Sequence, residues 1–289
     1  MGEITGRMKY VERAASVLLT LSLLALVGCE EVSSRLDPLS VSGRDGGTTP
    51  LSAETLMRIG TAAHAGGDLA NALRLYREAA TLQPSAAAPF VAIGNTLIDM
   101  NQVNEALLAY KSALEREARD PEALRGLAKA YLRTARPELA GAPLQIAYED
   151  TPNDPKLLQL IGVADDLVGQ HGEAQARYRR GIELAPGDLG LTLDLALSLA
   201  LTGDYDAAIA RLGPMAYSAS STPRERQTLA LIYGLKGDRK AAQQLASMDL
   251  EPSAVAHNLA YYDRLRALSP EARSRAVRSL GAGTTAPGS

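Results

Sequence analysis

Residues 87–120 read AAPFVAIGNTLIDMNQVNEALLAYKSALEREARD, and residues 155–188 read PKLLQLIGVADDLVGQHGEAQARYRRGIELAPGD. Aligned without a gap, the two stretches share Ile-Gly at columns seven and eight, Ala at column twenty and Tyr at column twenty-four. The register extends in both directions at a period of 34, giving six frames that begin at Ala53, Ala87, Pro121, Pro155, Leu189 and Pro223. Column seven holds Ile59, Ile93, Leu127, Ile161, Leu195 and Leu229. Column eight holds Gly60, Gly94, Ala128, Gly162, Ala196 and Ala230, and column twenty holds Ala72, Ala106, Ala140, Ala174, Ala208 and Ala242. Three columns in one unbroken register mark a chain built of stacked, similar units.

The spacing has a mechanical meaning. A small residue at column eight of one helix and another at column twenty of the next let two antiparallel backbones approach closely. Large residues fill the sides: Tyr76, Tyr110 and Tyr178 at column twenty-four, and Tyr131 and Tyr233 at column eleven, all read as packing. Column fifteen, between the helices, holds Gly67, Asn101, Gly169, Gly203 and Gly237, residues that tolerate positive φ at a helix end. Prolines at 84, 121, 152, 155, 186, 223 and 252 stand at the unit junctions, where they stop one helix or start the next. No segment sustains the period-two alternation of a half-buried strand, so the fold class expected is all-α. Pro143 and the pair Gly213-Pro214 fall inside expected second helices, and a kink or early helix end is expected at both.

The pattern resembles the tetratricopeptide repeat over residues 53–252. The resemblance implies a right-handed solenoid of six helix-turn-helix units, whose first helices line a concave binding face. Leu144 stands where that pattern has an aromatic residue. Beyond the array, Val255, Leu259, Tyr262 and Leu265 keep helical spacing, and Ser269-Pro270-Glu271 reads as a cap and first turn with Gly281 as the stop. Residues 253–281 are therefore expected to cap the last unit, and residues 282–289 to be a disordered tail.

Composition excludes several function classes. The chain has 289 residues, 46% hydrophobic and 4% aromatic, with one cysteine, no tryptophan and a net charge of −3. Such a charge gives no overall basic field for a phosphate backbone, so no nucleic-acid partner is expected. A single cysteine forms neither an internal disulfide nor a cysteine-based zinc site. His64, His171 and His257 are dispersed and read as ordinary surface residues. The adjacent pairs Glu30-Glu31 and Asp165-Asp166 make no shared carboxylate site, and Asp165 and Asp166 read as a solvated helix face. No phosphate-binding glycine loop, nucleophile elbow or Cys/His pair is found. The reading is of a non-enzyme with no catalytic residue, no metal and no cofactor.

Columns two, five, nine and twelve of the first helices are expected to face the concave side. In the middle units they supply Asn95, Arg125, Lys129, Lys156, Gln159 and Asp166. This is either a polar, locally basic patch suited to a partner segment with an acidic group or an ordinary solvated face. The first five are the candidate partner-binding residues. The carboxylate clamp of chaperone-binding tetratricopeptide domains is not reproduced, because Val91 and Leu160 occupy two of its basic positions.

At the N-terminus, Arg7, Lys9 and Arg13 precede an uncharged run from Ala14 to Val27, too short for an ordinary membrane span. The run ends in Leu26-Val27-Gly28-Cys29, which resembles the bacterial lipobox. The resemblance implies a signal peptide over 1–28 and lipidation of Cys29, with residues 29–52 a flexible tether. Glu30 replaces the aspartate of inner-membrane retention, so an anchor at the periplasmic face of the outer membrane is expected. Finally, Ala256-His257-Asn258-Leu259-Ala260-Tyr261-Tyr262 with Arg264-Leu265-Arg266 resembles the C-terminal end of the TadD lipoproteins of tight-adherence (Tad, Flp-type) pilus systems. That resemblance implies a pilotin or scaffold whose partners are the secretin or other pilus assembly subunits. The alternatives are a type IV pilus pilotin, an envelope adaptor for peptidoglycan hydrolases or outer-membrane protein assembly, and an enzyme with a hidden site.

Overall fold

The structure, a computed structural model, describes residues 51–281, with side chains described through residue 277. The expected signal peptide, lipidated Cys29 with most of its tether, and the tail from residue 282 lie outside the described residues. Among those described, the backbone forms fourteen α-helices and no strand, as the repeat pattern requires. They run as six pairs: α1 (Ala53–Ala65) with α2 (Leu69–Leu82), α3 (Ala88–Asp99) with α4 (Val103–Leu114), and α5 (Pro121–Arg133) with α6 (Pro137–Asp150). Then come α7 (Pro155–Leu167) with α8 (His171–Leu184), α9 (Leu189–Leu201) with α10 (Tyr205–Ala216), and α11 (Pro223–Lys236) with α12 (Arg239–Ala246). Two further helices follow, α13 (Pro252–Arg266) and α14 (Pro270–Gly281).

Local chemistry sets the boundaries. Asp120, Asp154 and Asp188 close one unit and cap the first helix of the next, each side chain accepting from a backbone N–H of the first turn. Asp68, Asp204 and Asp238 cap the second helices in the same way. Column fifteen takes the left-handed conformation throughout: Gly67, Gly169, Gly203 and Gly237 have φ between 81° and 95°, and Asn101 has φ 60°. The third unit has Ala135 there at φ 55°, a conformation in which its Cβ is strained.

All six column-twenty alanines are completely buried. Columns eight and twenty-four fit each other as a pair. A Cβ built on Gly60, Gly94 or Gly162 would lie 2.7, 2.6 or 2.5 Å from the ring of Tyr76, Tyr110 or Tyr178, so the tyrosine occupies the space the glycine leaves. Where column eight is alanine, at 128, 196 and 230, column twenty-four is the smaller Leu144, Leu212 or Ala246. The missing aromatic of the third unit is thus compensated in its own unit. Ile59, 37% exposed, is the exception in column seven, and no described unit precedes α1 to cover it.

Neither internal proline ends its helix. The helix α6 continues seven residues beyond Pro143, and α10 continues two beyond Pro214. Each ring removes the donor to the carbonyl four residues back, and those carbonyls belong to Leu139 and Ala210, both exposed residues that water reaches.

From α3 onward each odd-numbered helix packs on the next odd-numbered one, through α5, α7, α9 and α11 to α13, whereas the even-numbered helices make no comparable contacts. The odd helices therefore form the inner, concave layer. Here α13 takes the place of a seventh first helix: Val255, Leu259, Tyr262 and Leu265 are buried, and Tyr262 lies against Gly234. The last helix departs from simple end-capping, because α14 turns back and packs on α7 and α9.

Candidate partner-binding groove

Asn95, Arg125, Lys129, Lys156 and Gln159 all line one open groove of about 900 Å³ on the concave face, joined there by Arg224 from α11. The geometry changes the reading of that face as a basic patch. Arg125 Nη1 lies 2.7 Å from Asp154 Oδ2, and Lys156 Nζ lies 2.6 Å from Asp188 Oδ2. Those aspartates also cap α7 and α9, so each neutralises a cation and a helix N-terminus together. Lys156, helped by the backbone N–H groups of Leu191 and Gly190, holds the Asp188 carboxyl below its ordinary range. Gln159 Nε2 donates to Asp194 Oδ2 at 2.7 Å. Asn95 Oδ1 accepts from the Tyr110 hydroxyl at 2.7 Å, and burial pushes that phenol well above its ordinary range. Lys129 and Arg224, both exposed, make no ion pair with a described residue. They are the groove's uncompensated cations.

Asp166 is not on this surface. Contrary to its reading as a solvated, groove-facing residue, it is fully buried and accepts from three side chains. Tyr178 Oη lies 2.9 Å from Oδ2, Ser198 Oγ 2.8 Å from Oδ1, and His171 Nδ1 2.6 Å from Oδ1. The cause is the glycine at column eight: Tyr178 lies over Gly162, and its hydroxyl reaches one turn along the same helix to residue 166. His171 is consequently a half-buried partner of that carboxylate and no ordinary surface residue. Asp165 is half-buried beside it; burial pushes its carboxyl up while Arg177, 3.2 Å away, opposes the shift. His64 Nε2 lies 2.9 Å from Asp99 Oδ2 outside hydrogen-bond geometry, and His257 is exposed.

A second part of the groove leaves no mark on the polar pattern. A cavity of about 780 Å³ adjoins the first, sharing Lys129, Leu160, Val163 and Arg224 with it, and its walls are largely apolar, with Leu167, Leu193, Leu197 and Leu231 beside the charged Arg133, Glu138 and Asp194. The signal lies in column nine, which reads Thr61, Asn95 and Lys129 in the first three units and Val163, Leu197 and Leu231 in the last three. Among the described residues no three His, Cys, Asp or Glu side chains gather as a metal site, and no helix is long and apolar enough to cross a membrane.

A family model described as tetratricopeptide repeat matches residues 41–87, 91–155 and 168–221. Cellulose synthase operon protein C of Xanthomonas axonopodis pv. citri (strain 306) is 28% identical over 206 residues, covering 67% of this chain and 13% of that protein. The chain thus spans a small part of the length of this curated relative. Among solved structures, a tetratricopeptide repeat protein from Parabacteroides merdae ATCC 43184 is similar with a TM-score of 0.61 at 17% identity, covering 74% of this chain and 86% of that one. The pilF protein of Pseudomonas aeruginosa is similar with a TM-score of 0.56 at 18% identity, covering 67% and 88%. At these identities the likeness is one of fold.

Proposed function

The chain belongs to the tetratricopeptide repeat family, and from that premise we propose that it is the lipid-anchored scaffold, or pilotin, of a tight-adherence pilus assembly system. The coarser statement is secure: this is a repeat scaffold for protein–protein interaction, of a fold whose members are typically non-catalytic. The observation that carries the rest is the long concave groove, in which five polar side chains from three successive units face one opening. A surface of that kind suits an extended or helical partner segment, with Lys129 and Arg224 ready to receive a carboxylate.

The envelope setting is supported by the lipobox-like Leu26-Val27-Gly28-Cys29, and the pilus system by the run Ala256–Tyr262. On this reading a diacylated Cys29 holds the array at the periplasmic face of the outer membrane. Anchoring there raises the effective concentration of the groove for the secretin or a neighbouring assembly subunit. On the same reading residues 29–52 act as the lipidated tether that lets the groove reach its partner.

The test is crosslinking in cells followed by recovery of the protein from envelope fractions and identification of what is attached. Secretin or other tight-adherence subunits support the proposal. Type IV pilus components, peptidoglycan hydrolases or barrel-assembly subunits in their place replace the system while leaving the scaffold. Cys29→Ser must also abolish outer-membrane fractionation and pilus assembly; normal localisation of that variant sinks the anchored reading.

A further inference from the structure

The C-terminal helix α14 occupies part of the groove that a partner would use. Ser274 is buried and its Oγ donates to the backbone carbonyl of Asp166, 108 residues away in sequence, at 3.2 Å. Val277 is buried and lines the apolar cavity alongside Leu193, Leu197 and Leu231. The start of the helix is tied to the end of α13 instead of to the groove: Arg273 donates to the carbonyls of Leu265, Arg266 and Leu268 at 3.1–3.2 Å. Thus the start of α14 is held by α13 and, through Arg273 Nη1 and the Tyr205 hydroxyl at 3.4 Å, by α10; Tyr261 donates to the carbonyl of Ala276 at 3.3 Å, and the contact with α7 and α9 is made beyond the first turn.

Its charge is a poor match. The helix sequence PEARSRAVRSLG carries three arginines and one glutamate. Arg275 lines the same cavity as Lys129, Arg133 and Arg224, none of which makes an ion pair with a described residue, and as the carboxylates Glu138 and Asp194. Apolar contact favours the docked helix, while the excess of cations (Lys129, Arg133, Arg224, Arg275) over carboxylates (Glu138, Asp194) on the same lining opposes it.

We propose that α14 is a detachable occupant of the apolar half of the groove, and that it yields to an amphipathic helix of a partner carrying carboxylates where α14 carries Arg275. This rests on the concave face being the partner-binding face. Docking within the same chain reduces the partner's apparent affinity by the fraction of molecules in which the groove is open. The groove's apolar floor and its free cations together set the chemistry that displaces α14: aliphatic residues on one stripe, acidic residues at its margin.

Two fluorescein-labelled peptides test this on the full chain. One copies residues 269–281, and the other is the same peptide with R275E and R278E. Fluorescence anisotropy is read with the wild-type chain and with Val277→Asp, whose buried carboxylate expels α14. The Val277→Asp chain is expected to bind both peptides at least ten-fold more tightly than wild type, and the acidic peptide more tightly than the copy. Equal binding by the two chains, no binding by either, or preference for the basic copy overturns the proposal. A second measurement needs no variant: with wild-type protein saturated by the acidic peptide, amide exchange over 270–281 is expected to accelerate at least ten-fold while that over 252–266 is unchanged. Unaltered exchange of α14 under saturation overturns the proposal even where Val277→Asp fails to fold. Because both probes are synthetic, these outcomes stand independently of which natural partner, if any, is recovered from the envelope.

Discussion

The first three units and the last three share one core and differ on one surface. In both halves the column-twenty alanines are fully buried and a tyrosine fills the space left by a column-eight glycine. On the concave face, column nine is polar and exposed at Thr61, Asn95 and Lys129, but aliphatic and half-buried at Val163, Leu197 and Leu231. The tyrosine hydroxyls follow the same division: Tyr110 donates to the exposed amide of Asn95, whereas Tyr178 donates to the buried carboxylate of Asp166. A repeat array separates the residues that set its geometry from those that set its chemistry. Here that separation divides one groove into a polar half and a largely apolar half against which α14 packs.

The largest expected effect tests the shared part. Gly162→Val and Gly94→Val each force a side chain into the ring of a buried tyrosine, and each should destabilise by about 3 kcal/mol or more in urea unfolding. Similar losses in both halves uphold the common core; a tolerated valine in either removes it. Next comes the contrast between tyrosine partners. Asp166→Ala removes the buried acceptor shared by Tyr178, Ser198 and His171 and should cost about 3 kcal/mol, whereas Asn95→Ala, which removes one exposed acceptor at the groove, should cost about 1 kcal/mol. Equal losses would erase the distinction between the halves.

A smaller, pH-dependent effect belongs to the C-terminal half. Asp249 accepts from Arg226 Nε at 2.9 Å and from Gln227 Nε2 at 3.1 Å, and the arginine holds its carboxyl below the ordinary range. A carboxyl depressed in the folded state stabilises above its unfolded pKa, and that contribution is lost as the pH falls through the folded value. Asp249→Asn should therefore lower the urea midpoint at pH 7 by an amount that shrinks as the pH falls below the ordinary carboxylate range, whereas a shift independent of pH would contradict the ion pair's role. The smallest effect is a gain. Ala135→Gly relieves the left-handed strain of the third turn and should stabilise by about 1 kcal/mol, a change that the Gly67→Ala variant should mirror as a loss.

Much of this is legible in the sequence. The alanine and glycine columns fixed the helix pairs, and the column-fifteen residues marked the turns, because close helix packing and positive φ are local demands with few chemical solutions. The complementarity of columns eight and twenty-four was also present in the sequence, since glycine accompanies tyrosine and alanine accompanies a smaller residue. What escaped was non-local. Asp166 looked solvated because its three donors come from α8 and α9, and the prolines at 143 and 214 looked disruptive because the exposure of Leu139 and Ala210 is a property of the assembled stack. The return of α14 across 108 residues leaves no periodic trace at all. The candidate groove residues stand out by their polarity, whereas the aliphatic half beside them does not, because aliphatic residues at helical spacing read as core.

The central claim is that the concave face engages a partner. The direct measurement places a photocrosslinking amino acid at Lys129, in the groove, or at Leu108, 66% exposed on α4 of the outer layer, and recovers adducts from the envelope. Adducts formed from position 129 and absent from position 108 are the predicted result. Adducts from position 108 with none from position 129 would put the partner on the outer face and contradict the account.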